Sequence, residues 1–234
     1  VHAQISSVTK LFSAARVGAL AEPNTQVAPV DMGLPGTLPG RINLECVRQA
    51  ARTGMALQGE VQLVSQFVRK HYFYNDLPLG YQITQQDDPI VRGGFLEIPA
   101  DTPTAGAPTM EAMQQKKVRI NRVQLEQDTA KSLTAPEEGV TLVDLNRAGV
   151  ALMEIVTEPD MSSSAEAMHF LRGLHSLLVH IGSCSARGEE GALRCDVNVS
   201  VEGPAPLGLR SRRCEVKNVN GVRAAGQAVE VEAL

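Results

Sequence analysis

Between Gly188 and Val201 the chain reads GEEGALRCDVNVSV, with a strict period of two. Leu193, Cys195, Val197, Val199 and Val201 fall on one side of an extended strand, and Arg194, Asp196, Asn198 and Ser200 on the other. Such alternation marks a strand with one buried face. An ordinary solvent face carries Lys, Thr and Glu, whereas this one carries an arginine, a carboxylate and an amide in succession. Other strands repeat the theme. Lys117–Asp128 (KVRINRVQLEQD) ends on Glu126 and Asp128, and a strand around Leu152–Thr157 carries Glu154, with Glu158 just beyond it. Arg212–Val219 places Glu215 on the face of Arg213 and Lys217.

Helical signals are fewer. SSSAEAMHFLRGLHSLLVHIG opens on a capping box of Ser163 and Glu166 and carries an apolar stripe of Met168, Leu171, Leu174, Leu178 and Ile181. Gly182 is its stop. Ile42–Leu57 has helical spacing, and AAGQAVEVEAL near the end begins another helix. Val1–Lys10 with Phe12 reads as a strand with a polar end. Ala21–Gly40 reads as loop from its four prolines and three glycines. Pro99–Lys116 has the composition of a dispensable insertion. Several strands with few helices predict an α+β fold, with a mixed, largely antiparallel sheet and flanking helices.

Composition removes some functions. Aromatic residues are 3% of the 234 and Trp is absent, which argues against a base-stacking single-strand binder. A net charge of -4 argues against a grip on duplex phosphates. Cys46, Cys184, Cys195 and Cys214 form no C-x-x-C pair, so they read as free thiols and not as zinc ligands. The sequence contains no apolar run of membrane-spanning length.

Strand-borne acids gathered on one sheet face repel unless a cation lies between them. Hard oxygen donors suit Mg²⁺, and Arg194, Arg213 and Lys217 suit phosphate oxygens. The polar row therefore reads as the floor of a metal–nucleotide site. Taken singly, each acid reads first as a solvated face residue. His2 alone reads as structural, and the aromatic run Tyr72–Tyr81 as packing.

Longer strings narrow this choice. AEPNT, GLPGTLP, RKHYFYNDLPLGYQITQ, LEQDTAKS, LVDLNRAGVALMEIVTEPD, EEGALRCDVNVSV and EVKNVN occur in this order. They resemble the GatB family, one of the subunits of the aspartyl/glutamyl-tRNA amidotransferases, over nearly the whole chain apart from roughly 99–116 and 203–209. The resemblance implies a cradle domain related to glutamine synthetase, cut at both ends across 1–234, with the helical tRNA-binding tail absent. It implies ATP-dependent phosphorylation of the glutamyl or aspartyl side chain on misacylated tRNA. Ammonia from the amidase subunit GatA then displaces phosphate, with GatC as the small third subunit. A small-molecule ligase of glutamine-synthetase type and an inactive structural remnant stand as alternatives.

Position by position, the resemblance puts Mg²⁺ on His2, Glu154, Asp196 and Glu215, the three acids also being catalytic. Gln127 takes the place of an acid in the family's EED string and offers only an amide oxygen. Arg194, Asn198, Lys217 and Glu126 are expected to bind ATP. Lys70, Tyr72, Tyr74 and Tyr81, with Asp76, are expected to wall the acceptor site. Glu215 is expected beside Asp196 across a hairpin. A C-P-V-C string of some members is replaced by Ala28-Pro-Val-Asp31, so no zinc is expected. The LEQD form is similar to mitochondrial members and implies the matrix, with bacterial and plastid equivalents as alternatives.

Overall fold

A computed structural model describes residues 1–18, 21–100, 115–135, 139–184, 193–203, 208 and 210–234. In chain order it contains β1 (His2–Gln4), α1 (Leu44–Ala56), β2 (Glu60–Val61), β3 (Val68–His71), β4 (Tyr81–Thr84), β5 (Val91–Arg92) and β6 (Phe95–Pro99). There follow β7 (Gln115–Gln127), β8 (Lys131–Ala135), β9 (Val140–Asp144), β10 (Ala151–Thr157), α2 (Ser164–His180), β11 (Leu193–Val199), β12 (Cys214–Val219) and α3 (Val222–Glu232). The fold is α+β, and every ladder between described strands is antiparallel.

An eight-stranded sheet runs β12-β11-β1-β10-β7-β5-β2, with β6 also paired to β7. The 13-residue β7 is its spine, because its first half holds β6 while its second half holds β10. Two hairpins, β3–β4 and β8–β9, stand outside this sheet. The strand expected over Val1–Lys10 shrinks to His2–Gln4; beyond it the chain leaves the sheet, and Lys10 turns its ammonium to the buried Asp31, 3.0 Å away. Most of the expected insertion, 101–114, lies outside the described residues, while its ends are strand, with Pro99 opposite Gln115.

The register makes the sheet two-faced. Ala3 lies opposite Met153, and Met153 opposite Leu125; all three belong to the core. Phe170, Leu171, Leu174 and Leu178 of α2, Ala225 of α3, and Cys46 and Ala50 of α1 complete that core. An apolar sheet face covered by amphipathic helices is the expected two-layer solution. The other face carries His2 opposite Glu154, Glu154 opposite Gln124, and His2 opposite Arg194.

Candidate active site

Side chains two residues apart on a strand share a face. Glu126 and Asp128 therefore follow Gln124 on the open face, and Asp196 and Asn198 follow Arg194. His2 is the centre of this row. Its Nε2 lies 3.4 Å from Glu126 Oε1 and 3.8 Å from Glu154 Oε1. His2, Glu126 and Glu154 each offer a ligand atom, and these atoms lie within 4.8 Å of one another. One imidazole and two carboxylates at that spacing have the geometry and donor types of a divalent-cation site.

The electrostatics agree with the geometry. Burial, reinforced by the nearby Glu154 carboxylate, pushes the Glu126 acid up to about 7, against opposing contributions from Thr84, Lys70 and Gln124. Burial holds the His2 imidazole below its ordinary value, which favours the neutral ring that ligates metals. Glu126 is buried, and the side chains of His2 and Glu154 are 21% and 25% exposed, so the cluster is partly open to solvent.

The remaining expected residues divide into those brought to the cluster and those placed elsewhere. Asp196 lies on the next strand, and its charge reaches His2. Its Oδ1 accepts the Asn218 backbone N–H at 2.8 Å. Asn218 has a φ of 55° at a register shift between β11 and β12. Beyond that shift Glu215 lies opposite Asn198, and in neither register does it face Asp196. Glu215 sits 3.6 Å from Lys217 near the sheet edge, and no close contact joins it to His2 or Glu154. Asn198 is exposed.

Gln127 departs from the metal assignment. It points to the opposite side of β7 from Glu126, and its Oε1 accepts the Ile83 N–H at 3.2 Å. Glu126 occupies the place in the cluster instead. Arg194 turns its guanidinium to Asp128 at 2.9 Å, and Arg147 approaches the same carboxylate at 3.6 Å. Arg194 is thus engaged by a buried acid, not held free for phosphate. Asp31, at the position of the absent zinc string, is buried against Lys10.

The β3–β4 hairpin leans over this floor. Thr84 donates its hydroxyl to Glu126 Oε2 at 3.2 Å, and the Gln82 amide donates to the Gln127 carbonyl at 2.6 Å. Lys70 pairs with Gln82, so Lys70 and Tyr72 share the side of the hairpin that faces the acids. Burial, then the charges of Asp76, Glu126 and Asp128, push the Tyr72 phenol up to about 12. Tyr74 meets Tyr72 edge-on at 6.3 Å and is exposed. Tyr81 lies on the other side of the hairpin, under Arg69, whose guanidinium carbon is 4.5 Å from the ring centroid. Of the expected acceptor wall, Lys70 and Tyr72 face the cluster and Tyr81 turns away. Sequence reading missed Gln124 and Thr84, both buried polar residues at this floor. Gln124 stands two residues before Glu126 on the same strand, which is its signal in the sequence; Thr84, on β4, has none.

Fold and site together define a class, an α+β domain with one sheet face sealed under helices and the other open and acid-lined. The chain belongs to the GatB/GatE catalytic domain family, whose model matches residues 1–234. The B subunit of the aspartyl/glutamyl-tRNA(Asn/Gln) amidotransferase of Methylocella silvestris is 51% identical over 234 residues, covering 100% of this chain and 44% of that protein. Proteins of the same name from Acidiphilium cryptum and Rickettsia bellii are each 49% identical, with 45% and 46% of their lengths covered. The chain thus spans less than half the length of these relatives.

Proposed function

We propose that this chain is the catalytic domain of the GatB component of a tRNA-dependent amidotransferase, and that its open sheet face activates the side-chain carboxylate of misacylated tRNA with ATP. The observation that carries this is the His2–Glu126–Glu154 cluster on the exposed face of a domain matched by the family model over its full length. A free carboxylate resists ammonia because oxide is a poor leaving group, whereas an acyl phosphate leaves readily. Phosphoryl transfer asks a protein mainly for positioning and charge neutralisation.

The donor set fits Mg²⁺: His2, Glu126 and Glu154 would hold the ion, with Asp196 on the neighbouring strand as a further acid. When bound, the cation supplies charge neutralisation for the two acids and for ATP phosphates. Lys70 and Tyr72 overhang the acids, where an ammonium and a phenol can orient the anionic acceptor. Glu215, Lys217 and Asn198 lie toward the sheet edge, where they border the approach to the floor and do not form it.

The names of the relatives support glutamyl- or aspartyl-tRNA as substrate. The same reading supplies the partners, an amidase subunit that provides ammonia and a small third subunit, which are GatA and GatC in this family. No described helix is long and apolar enough to cross a membrane. A matrix location rests on the Glu126-Gln127-Asp128 string alone, and the relatives named above are bacterial.

Glu154→Gln in the full-length protein, assembled with its partner subunits, tests the reading. ATP-dependent amidation of Glu-tRNA(Gln) is expected to fall by at least about 100-fold, the scale of losing one electrostatic stabiliser. Glutamine hydrolysis, chemistry of the separate amidase subunit, persists. Unchanged amidation at limiting Mg²⁺ overturns the proposal.

A further inference from the structure

We propose that Gln124 is a positioning residue that sets the two acids of the cluster at once, directly for Glu154 and chiefly through Thr84 for Glu126. This rests on the reading of the cluster as a divalent-cation site. Gln124 is buried opposite Glu154 in the β7–β10 ladder. Its Nε2 donates to Glu154 Oε2 at 2.7 Å and to Thr84 Oγ1 at 3.1 Å, which uses both amide hydrogens. Having accepted there, the Thr84 hydroxyl has one hydrogen, and it goes to Glu126 Oε2 at 3.2 Å.

The direction of this chain is fixed from its outer end. Arg122 Nε donates to Gln124 Oε1 at 2.7 Å. Flipping the amide would set an oxygen against the Glu154 carboxylate and an NH₂ against the guanidinium, losing both bonds. The order is therefore arginine to amide, amide to Glu154 and to hydroxyl, hydroxyl to Glu126. Its consequence lies in the carboxylate oxygens. Both Oε2 atoms are tied back by the network, while both Oε1 atoms face His2. The network thus assigns one oxygen of each acid to the protein and presents the other to the cation. A neutral donor suits this role, because a carboxylate at 124 would add a third negative charge and an aliphatic side chain would donate nothing. Outer partners that orient metal ligands typically change metal affinity by about 10–100-fold when removed.

The test uses Mn²⁺ as the probe, with bound ion read by electron paramagnetic resonance on the full-length protein in its assembled complex. Glu154→Gln identifies the site by abolishing it. Gln124→Met is expected to weaken that site by about 10–100-fold. Thr84→Val is expected to weaken it by a smaller factor, and Thr84→Ser to restore near wild-type affinity. A purely structural role for these residues would leave Mn²⁺ affinity unmoved in folded protein. If Gln124→Met does not fold, the comparison of Thr84→Val with Thr84→Ser decides the question. Wild-type Mn²⁺ affinity in folded Gln124→Met or, failing that, in Thr84→Val, with the site lost in Glu154→Gln, overturns the positioning role and leaves the metal reading standing. Mn²⁺ binding that survives Glu154→Gln removes the metal reading itself, and the positioning role with it.

Discussion

At Glu126 burial and a neighbouring charge act in the same direction, and the acid rises from 4.5 to about 7. A carboxyl group raised on folding ionises first in the unfolded chain. Stability is therefore full below the unfolded value and is lost as pH climbs through the folded one. The metal-free protein should lose about 3 kcal/mol from this group between pH 4.5 and pH 8. Glu126→Gln removes the ionisation, so the difference in melting temperature between wild type and variant should grow with pH in chelator and shrink when Mg²⁺ is added. Parallel pH curves for the two proteins would show that Glu126 does not titrate in this window. Tyr81 yields a contrasting expectation. Its ring packs against Arg69 on the far side of the hairpin, so Tyr81→Phe should leave amidation unchanged, whereas Tyr81→Ala should cost about 0.5–1 kcal/mol of stability, the size of an exposed cation–π contact. A steep loss of turnover in the phenylalanine variant would return Tyr81 to the acceptor wall.

Element by element, periodicity located most of the secondary structure, and tertiary partners account for the differences. The helix expected after Ser163 forms as α2, and the Ser163 hydroxyl accepts the Glu166 N–H at 3.2 Å. The return bond of the capping box is different. Glu166 accepts from the Ser162 N–H at 2.8 Å and from Lys116 Nζ at 2.7 Å, so a distant strand completes the cap. Burial works to raise the Glu166 acid, but bonds from Lys116 and Ser162 outweigh it and hold the acid below its ordinary value. The sign is opposite to that of Glu126. This stabilisation is present above the usual carboxylate range and is lost as pH falls through the folded value. Glu166→Gln should destabilise the protein at pH 7 by about 1–3 kcal/mol, the scale of a charged hydrogen bond lost in a buried setting, with the gap closing below about pH 4. An equal gap in melting temperature at pH 7 and pH 3.5 would exclude a charge-dependent cap. The β8–β9 hairpin was not legible in the sequence. Leu133 faces Leu142 across it, yet both are exposed and the pair stands outside the main sheet, so no buried face imposed an alternation. The bulge at Asn218 was hidden as well, because its extra residue puts Val216 and Val219, three apart, both against the core, a spacing that a period-two reading does not recognise.

Across the whole molecule, the loop-rich stretch between β1 and α1 is held to the rest by polar anchors whose partners lie far away in sequence. The Asn24 N–H donates to Asp144 Oδ1 at 3.1 Å, and the Gln26 N–H to Asn146 Oδ1 at 2.8 Å. The innermost anchor is Lys10 with Asp31, 3.0 Å apart and both buried. Asp31 Oδ2 also accepts from Ser13 Oγ and from the Ala28 N–H, and Lys10 Nζ donates to the Leu145 carbonyl at 3.3 Å. Proline and glycine content identified this stretch as loop, but composition carries no information about which carboxylate will meet which lysine. Burial lowers the Lys10 pKa while Asp31 pulls it upward, so the pair is held by mutual charge in a dry setting. Removing one partner of such a pair leaves the other charge uncompensated, at a cost of about 3–5 kcal/mol. Gly149 adds a steric condition, since a Cβ there would lie 2.9 Å from Asp31 Oδ1 and its φ is +80°. Asp31→Asn in the full-length protein should therefore lower unfolding stability by several kcal/mol, on the order of that unpaired-charge cost. Lys10→Met with Asp31→Leu, which removes both charges together, should recover much of the loss. Equilibrium denaturation of the two variants against wild type checks this, and a double variant no more stable than Asp31→Asn would show that the anchor acts through its hydrogen bonds to Ser13, Ala28 and Leu145 and not through the paired charge.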